Sequence, residues 1–204
     1  MIELYTWGTP NGKKASVMLE EVGLPYNVHP IRIMEGDQFK PDYLKINPNS
    51  KIPAIVDTDG PGGKPINIFE SGAILIYLAE KTGKLLSRDP VLRIEAIEWL
   101  MFQMGGVGPM FGQAHHFLGL KEPNPYGAER YTKETRRLYG VMNTRLGEVP
   151  YLATEYSIAD VATYTWVSRF QMHRVDLAEF PNVKRWFDAI SARPAVQRGM
   201  KVPS

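Results

Sequence analysis

The sequence contains no cysteine among its 204 residues. This absence excludes disulfide bonds, thiolate zinc sites, iron–sulfur clusters and a cysteine nucleophile supplied by the protein. The chain also lacks an excess of charge, because 24 basic and 22 acidic side chains leave a formal net charge of +2. Nucleic acids and anionic membranes usually select a clustered basic face, so we expect neither as a partner.

Histidine is scarce, with four residues, of which His115 and His116 are adjacent. Neighbouring side chains on a helix point roughly 100° apart, so we expect no shared metal ion. Residues 99–120 carry no charge and are long enough to span a bilayer, yet they include five glycines and several polar side chains. A buried helix is therefore predicted. No secretory signal pattern opens the chain, and the predicted location is the cytoplasm.

The residue pattern in the first part of the chain predicts a strand, a helix, a second strand, a short helix, a hairpin and a further helix, in that order. The corresponding segments are 3–6, 10–22, 26–33, 37–46, Ala54–Asp57 with Ile66–Phe69, and 71–81. Residues 59–63 read Asp-Gly-Pro-Gly-Gly, which is typical of a turn and makes the two short strands a hairpin. This order packs into one mixed sheet with helices on its faces.

After a linker at 84–90, every long segment has helical periodicity. The clearest segments are 92–104, 128–146, 158–173 and 183–190. The prediction is an α/β domain over residues 1–83 and an all-α domain over residues 90–204. The Gly-Gly-Val-Gly segment at 105–108 follows no strand and precedes no phosphate-site lysine, so we expect it to permit close approach of a helix or subunit.

The first strand-to-helix turn is a candidate anion site. The Thr9 hydroxyl and the amides around Asn11 lie where a helix begins, and that end of a helix stabilises anions, including a thiolate. The alternative is that Thr9 and Asn11 only cap the helix. Tyr5, in the preceding strand, is interpreted as a core residue.

Two further segments are candidate ligand-binding elements. If the Ile52–Pro53 bond is cis, the backbone of Ile52 is exposed to an extended, peptide-like ligand; the alternative is an ordinary loop proline. Glu70 and Ser71 lie at a strand-to-helix junction. There Ser71 suits an N-cap, free amides face a carboxylate, and Glu70 suits an ammonium group. Together they fit the head of an α-amino acid; the alternative is that Ser71 merely caps the helix.

These elements, in this order, resemble the thioredoxin-like glutathione-binding domain of glutathione transferases. Residues 156–160 resemble the helix-capping signature of that family, in which Ser157 caps and Asp160 reaches back. Within that family the chain resembles the bacterial nu-class transferases, which are similar to the yeast prion-forming nitrogen regulator. The segments that carry this likeness are 9–14, 36–39, 47–55, 105–110, 113–117 and 129–131.

The resemblance implies a glutathione transferase fold, a homodimer, and glutathione or glutathione disulfide in the site, with no metal. It implies that Thr9 and Asn11 lie at the glutathione sulfur. It also implies a ligand-carboxylate role for Arg130 and glutathione contacts from Gln38, Lys51, Ile52, Pro53, Glu70 and Ser71. The activity it implies is glutathione-dependent reduction of small disulfides, with minor peroxide reduction, the reactive sulfur coming from glutathione. Two alternatives remain open: conjugation of electrophiles, and a non-catalytic glutathione-binding regulatory protein.

Overall fold

The computed structural model describes residues 1–203, which form two compact units. The N-terminal unit contains Met1–Leu85 together with the chain from Arg193 onward, and the helical unit contains Leu86–Ala192. The predicted fold class, an α/β thioredoxin-like domain followed by an all-α domain, is confirmed.

The N-terminal unit is built on a four-stranded mixed sheet in the order β2-β1-β3-β4. Strand β1 (Ile2–Thr6) runs parallel to β2 (Tyr26–Pro30) and antiparallel to β3 (Ala54–Asp57), and β3 pairs antiparallel with β4 (Ile66–Phe69). The predicted hairpin is therefore confirmed. The prediction that β2 extends to residue 33 is wrong, because β1 ends at Thr6, which pairs with Pro30.

Three helices accompany the sheet in sequence order. They are α1 (Pro10–Val22), the short α2 (Pro41–Leu44) and α3 (Ser71–Thr82), with short 3-10 turns at Asp37–Phe39 and Pro61–Gly63. Helices α1 and α3 end at Gly23 and Gly83, as predicted. Both glycines adopt the left-handed conformation that closes a helix, with φ of 76° and 68°.

The helical unit contains five α-helices. They are α4 (Pro90–Phe102), α5 (Gly108–Leu118), α6 (Pro125–Glu148), α7 (Ile158–Val167) and α8 (Pro181–Ser191). All ten residues of α7 are buried, so this helix is the centre of the unit. The prediction of one helix over 158–173 is wrong: α7 ends at Val167, and a 3-10 segment, Phe170–His173, follows. A further 3-10 turn spans Leu177–Glu179.

Glycines bring α5 close to α7, and a single turn of π-helix, Gln103–Val107, joins α4 to α5. A Cβ on Gly112 would lie 3.2 Å from the Trp166 ring, and one on Gly108 would lie 3.4 Å from the Trp166 nitrogen. The expected close helix approach is thus present within this unit. None of the helices in residues 1–203 combines the length and the apolar composition that crossing a bilayer requires.

The start of α7 has the predicted capping box. The Ser157 hydroxyl accepts a hydrogen bond from the Ala159 amide at 3.2 Å, and the Asp160 carboxylate accepts one from the Ser157 amide at 3.0 Å. The Asp160 carboxylate also accepts from the Leu152 amide and from the Trp186 indole, at 3.0 and 2.7 Å. One buried carboxylate therefore connects the start of α7 to α8 and to the loop before it.

The last helix, α9 (Pro194–Gly199), packs against α1 in the N-terminal unit. The Ser16 hydroxyl donates to the Gly199 carbonyl at 2.8 Å, and a Cβ on Gly199 would lie only 2.4 Å from the Val17 Cα. The sequence analysis placed residues 90–204 in one helical domain. The structure instead groups the chain from Arg193 with the N-terminal unit, because this close backbone contact is made there.

Candidate functional site

Thr9 is the N-cap of α1, with extended backbone angles, and its Oγ1 accepts a hydrogen bond from the Gly12 amide at 3.1 Å. Capping uses a lone pair of the hydroxyl and leaves its hydrogen for donation to another acceptor. Asn11 lies in the first turn of the helix, and both residues are half-buried. The capping and anion-binding interpretations of Thr9 are therefore compatible.

A cavity of about 390 Å³ opens beside this turn. Its lining residues are Trp7, Gly8, Pro30, Arg32 and Pro203. The turn that holds Thr9 consequently borders open space with a guanidinium group on its wall.

The Ile52–Pro53 peptide bond is cis, and Pro53 is buried immediately before β3. The carbonyl of Lys51 accepts hydrogen bonds from the Tyr43 hydroxyl and from the Asn47 amide, the latter at 2.7 Å. Within residues 1–203, the backbone of Ile52 makes no hydrogen bond. The loop is thus fixed at Lys51, while the backbone groups of Ile52 remain available to an extended ligand.

Gln38 is tied to the same region through Ile33. Its Nε2 donates to the Ile33 carbonyl at 3.1 Å, and its Oε1 is buried without a partner among the described residues. Ile33 and Ile52 both pack on a small core cluster that contains Tyr43. Gln38 is therefore bonded to a segment that shares a core cluster with Ile52, and it retains an unsatisfied acceptor.

At the start of α3 the structure corrects one detail of the sequence analysis. Ser71 is the first residue of the helix and not its N-cap, a position that Glu70 occupies. Glu70 has a φ of 68°, which is strained for a residue with a side chain, and its carboxylate does not cap the helix. Ser71 is buried, and its hydroxyl accepts a hydrogen bond from a buried lysine. Glu70 is exposed.

That lysine, Lys14, is the residue that sequence reasoning missed. Its ammonium nitrogen lies 3.3 Å from Ser71 Oγ, and the side chain is 1% exposed. Burial lowers the pKa of Lys14 to about 7, against an opposing effect of the Glu70 carboxylate. The spacing of Lys14, Met18 and Val22 was the available signal, because residues four apart share one helix face and the other two are apolar.

Arg130 is the one predicted site residue in the helical unit. It lines a groove of about 670 Å³ on α6 and is exposed, with no ion pair to any residue of 1–203. Arg137 lines the same groove but is paired with Glu134 through bonds of 2.7 and 2.8 Å. The groove therefore presents two guanidinium groups: Arg137 is paired with Glu134, whereas Arg130 acts on Glu134 only through its charge, without a direct ion pair.

Tyr5 packs as a structural side chain. Its ring stacks on His29 at 4.6 Å and lies 6.1 Å from the Tyr43 ring. Burial, with a smaller effect of the Glu3 carboxylate, raises the pKa of the Tyr5 hydroxyl, which makes it a poorer acid.

The N-terminal unit holds the other predicted residues, and Lys14 links two of its elements, because it joins α1, which carries Asn11, to Ser71 on α3. Across residues 1–203 no cluster of three or more histidine, aspartate or glutamate side chains is placed to hold a metal ion. The arrangement consists of an anion-stabilising turn, an open backbone segment and an acidic residue beside a buried cation. These features suit a zwitterionic, peptide-like ligand.

The comparisons with known proteins agree with this chemistry. A model of the glutathione S-transferase N-terminal domain matches residues 9–81, and one of the C-terminal domain matches residues 109–194. The chain is 49% identical over 203 residues to the disulfide-bond oxidoreductase YfcG of Escherichia coli strain K12, covering 98% of this chain and 94% of that protein.

Two solved structures are similar over their whole fold. A glutathione transferase from Pseudomonas putida, with one glutathione disulfide bound per subunit, has a TM-score of 0.96 and 45% identity over 100% of this chain and 92% of that chain. A family member from Pseudomonas fluorescens with two glutathiones bound has a TM-score of 0.93 and 46% identity over 99% of this chain and 93% of that chain.

Proposed function

The chain belongs to the glutathione S-transferase family, and on that basis we propose that it reduces small disulfides with glutathione. The observation that carries the proposal is the first turn of α1. There Thr9 caps the helix and retains a hydroxyl hydrogen for a bound sulfur, in a protein that has no cysteine of its own. The likeness to a disulfide-bond oxidoreductase over nearly the whole chain supports the same activity.

The proposed reaction uses two glutathiones. The first, held as a thiolate at Thr9 and Asn11, attacks one sulfur of the substrate disulfide, forms a mixed disulfide and expels a substrate thiolate. The thiolate of a second glutathione attacks the glutathione sulfur of that mixed disulfide and expels the other substrate thiolate. Two glutathiones are oxidised to glutathione disulfide, and the substrate is reduced to two thiols. The helix end lowers the thiol pKa and so raises the thiolate fraction.

In the proposal, the other predicted site residues of the N-terminal unit bind the backbone and the charged groups of glutathione. In the proposal, Ile52, placed by Pro53, pairs with the peptide part of glutathione. Glu70 receives the γ-glutamyl ammonium, and Ser71 receives its carboxylate. Gln38 and Lys51 complete the site from the two flanking loops. The open backbone of Ile52 and the exposed carboxylate of Glu70 support these assignments.

The activity is tested against both alternatives on one preparation. We expect glutathione-dependent turnover of 2-hydroxyethyl disulfide to exceed conjugation of 1-chloro-2,4-dinitrobenzene, with slower reduction of cumene hydroperoxide by the same thiolate. If only the aryl halide reacts, the protein is a conjugating transferase. If glutathione binds and none of the three substrates reacts, it is a binding or regulatory protein.

Replacing Thr9 by alanine is expected to raise the pKa of bound glutathione. Losing one hydrogen bond to an ionised sulfur costs about 1.5–3 kcal/mol, which corresponds to roughly one to two pKa units. The thiolate ultraviolet absorbance, titrated in the complex, measures this shift. Thr9→Ser keeps both the cap and the donor and serves as the control. An unchanged thiol pKa and unchanged turnover in Thr9→Ala would remove Thr9 from the mechanism.

Arg130 is proposed to bind a ligand carboxylate in the groove of the helical unit. Replacing it by alanine is expected to weaken the binding of glutathione disulfide, the product of the proposed reaction, which carries carboxylates, by about tenfold, because one exposed charge-assisted hydrogen bond is lost. Calorimetry measures the Kd. Turnover of uncharged 2-hydroxyethyl disulfide should change little. Arg137→Ala is the matched control, because that guanidinium is already paired with Glu134. Equal effects of the two substitutions would argue against a specific role of Arg130.

The proposal includes a homodimer that acts in the cytoplasm, where glutathione is kept reduced. Helix α4 presents an apolar face formed by Val91, Ile94 and Met101, which are 70%, 61% and 48% exposed. Such a face suits burial against a second copy. Light scattering coupled to size-exclusion chromatography tests this assignment, and a monomer mass at micromolar concentration contradicts it.

A further inference from the structure

A fully buried lysine lies directly behind the start of α3. Lys14 is on α1, its side chain is 1% exposed, and its ammonium is 3.3 Å from the hydroxyl of Ser71. Burying a cation is costly unless charge or hydrogen bonds compensate for the lost water. The hydroxyl of Ser71, in the first turn of α3, is therefore hydrogen-bonded to a buried amine whose charged form this environment disfavours.

Most charged groups on the elements packed around Lys14 already have ion-pair or hydrogen-bond partners of their own. Helix α1 packs against α3, α9 and β1. Arg193 precedes α9 and Arg198 lies on it, and they pair with Glu21 and Glu20. On β1, Glu3 pairs with His29. On α3, Tyr77 and Lys81 pair with Asp57 of β3, and on α1 Lys13 bonds the Met200 carbonyl. Glu70 is the charged group whose field acts on the Lys14 ammonium, and it is exposed to water.

We infer that Lys14 is a positioning residue of the Glu70–Ser71 subsite, and that it takes up a proton when a ligand carboxylate binds to Ser71. The inference rests on the proposed function, since it assumes a γ-glutamyl ligand. The ammonium orients the Ser71 hydroxyl by donating to its oxygen, so that the hydroxyl hydrogen points to the carboxylate. It also supplies the charge that balances the carboxylate in a dry environment.

Whether Lys14 gains or loses a proton depends on the opposite effects of the ligand's carboxylate and its ammonium group. The carboxylate would be separated from Lys14 by a single hydroxyl, in a region from which water is excluded. The ligand ammonium would neutralise Glu70, whose influence on Lys14 is weakened by its contact with solvent. The attraction of the carboxylate therefore dominates, and the charged form of Lys14 is favoured in the complex. Burial holds the Lys14 pKa in the free protein at about 7, so a substantial fraction of the lysine is uncharged before the ligand arrives.

Proton uptake is measured by calorimetry with S-methylglutathione, which has no thiol to ionise. Binding heats at about pH 7 in buffers of different ionisation enthalpy give the number of protons bound. A pKa that rises by about one unit or more gives an uptake of roughly 0.4 proton per site. Affinity should then be about fivefold weaker at pH 8 than at pH 6.

Variants separate this role from a structural one. Because coupling is reciprocal, Lys14→Met should bind S-methylglutathione about tenfold more weakly at pH 6, with no proton uptake and no dependence on pH. Lys14→Arg, which stays charged, should bind equally well at both pH values. Lys13→Met, at the neighbouring position, should keep the uptake of the unmodified protein.

The outcomes are distinguishable from a failure of the proposed function. If the unmodified protein does not bind S-methylglutathione, the proposed function falls and this inference falls with it. If binding occurs without proton uptake, or if Lys14→Met keeps the uptake, the role of Lys14 is refuted and glutathione binding stands. Should Lys14→Met fail to fold, the uptake of the unmodified protein and the pH profile of Lys14→Arg still decide.

Discussion

Replacing Asp160 by alanine is expected to lower the free energy of unfolding by about 4 kcal/mol, because it strands several buried donors at once. The carboxylate is fully buried and accepts hydrogen bonds from the Leu152 and Ser157 amides, from the Ser157 hydroxyl and from the Trp186 indole. Each stranded buried donor costs about 1–3 kcal/mol, and water entering the cavity recovers part of the sum.

Denaturant unfolding monitored by circular dichroism measures this loss. Asp160→Asn keeps one acceptor oxygen, so about half of the effect is expected. Asp188→Ala is the control, since its carboxylate is exposed on α8 and, among residues 1–203, pairs with Lys184 alone, a pair worth at most about 1 kcal/mol. A loss below about 1 kcal/mol in Asp160→Ala would show that the network is not structural.

Local signals made most of the sheet predictable. The Asp-Gly-Pro-Gly-Gly turn at 59–63 and the short runs on either side of it define β3 and β4 to the residue. Pro10 and Gly23 bound α1 in the same way. The errors arise where an apolar pattern continues beyond the element. Ile31 is buried and continues the apolar alternation of β2, so the pattern predicts a longer strand, although the partner strand ends at Thr6.

The association of α9 with the N-terminal unit was not predictable from local pattern. The sequence of residues 194–199 shows a short helix and nothing that selects its partner. The choice depends on shape, since Gly199 allows the helix backbone to touch Val17, and on ion pairs to Glu20 and Glu21. These contacts join residues about 180 positions apart, beyond the reach of any periodicity argument.

The site residues that belong to a sequence motif could be predicted, whereas the one whose role depends on burial could not. Thr9, Pro53 and Glu70 are recognisable from the sequence, because each is a characteristic residue type at a turn or at a junction between elements. Lys14 does not, because a lysine is expected in water unless its helix face is known. The N-cap was placed at Ser71 because serine is a favoured capping residue, whereas the helical backbone begins at Ser71 itself and its hydroxyl contacts that lysine.

Gly12 matters for both the fold and the candidate site, because there is no room for a Cβ atom at this position. A Cβ at this position would lie 2.2 Å from the Trp7 carbonyl oxygen and 2.5 Å from Thr6 Oγ1. The first of these atoms is backbone, so a side chain at residue 12 can be accommodated only if the turn from Trp7 to Thr9 moves. That movement also breaks the hydrogen bond from the Gly12 amide to Thr9 Oγ1.

Gly12→Ala is therefore expected to lower the free energy of unfolding by about 3 kcal/mol, the upper end for overpacking a tight contact. Disulfide turnover should fall further than the folded fraction explains, because displacement of about 1 Å at a reacting centre costs roughly a hundredfold in rate. Gly140→Ala is the matched control, since that glycine lies within α6 with open space at its Cβ position, and alanine there should stabilise the helix by about 1 kcal/mol. Turnover per folded molecule and the pKa of bound glutathione separate the two effects. A destabilised Gly12→Ala variant with an unchanged thiol pKa would mean that the turn supports the fold without tuning the sulfur.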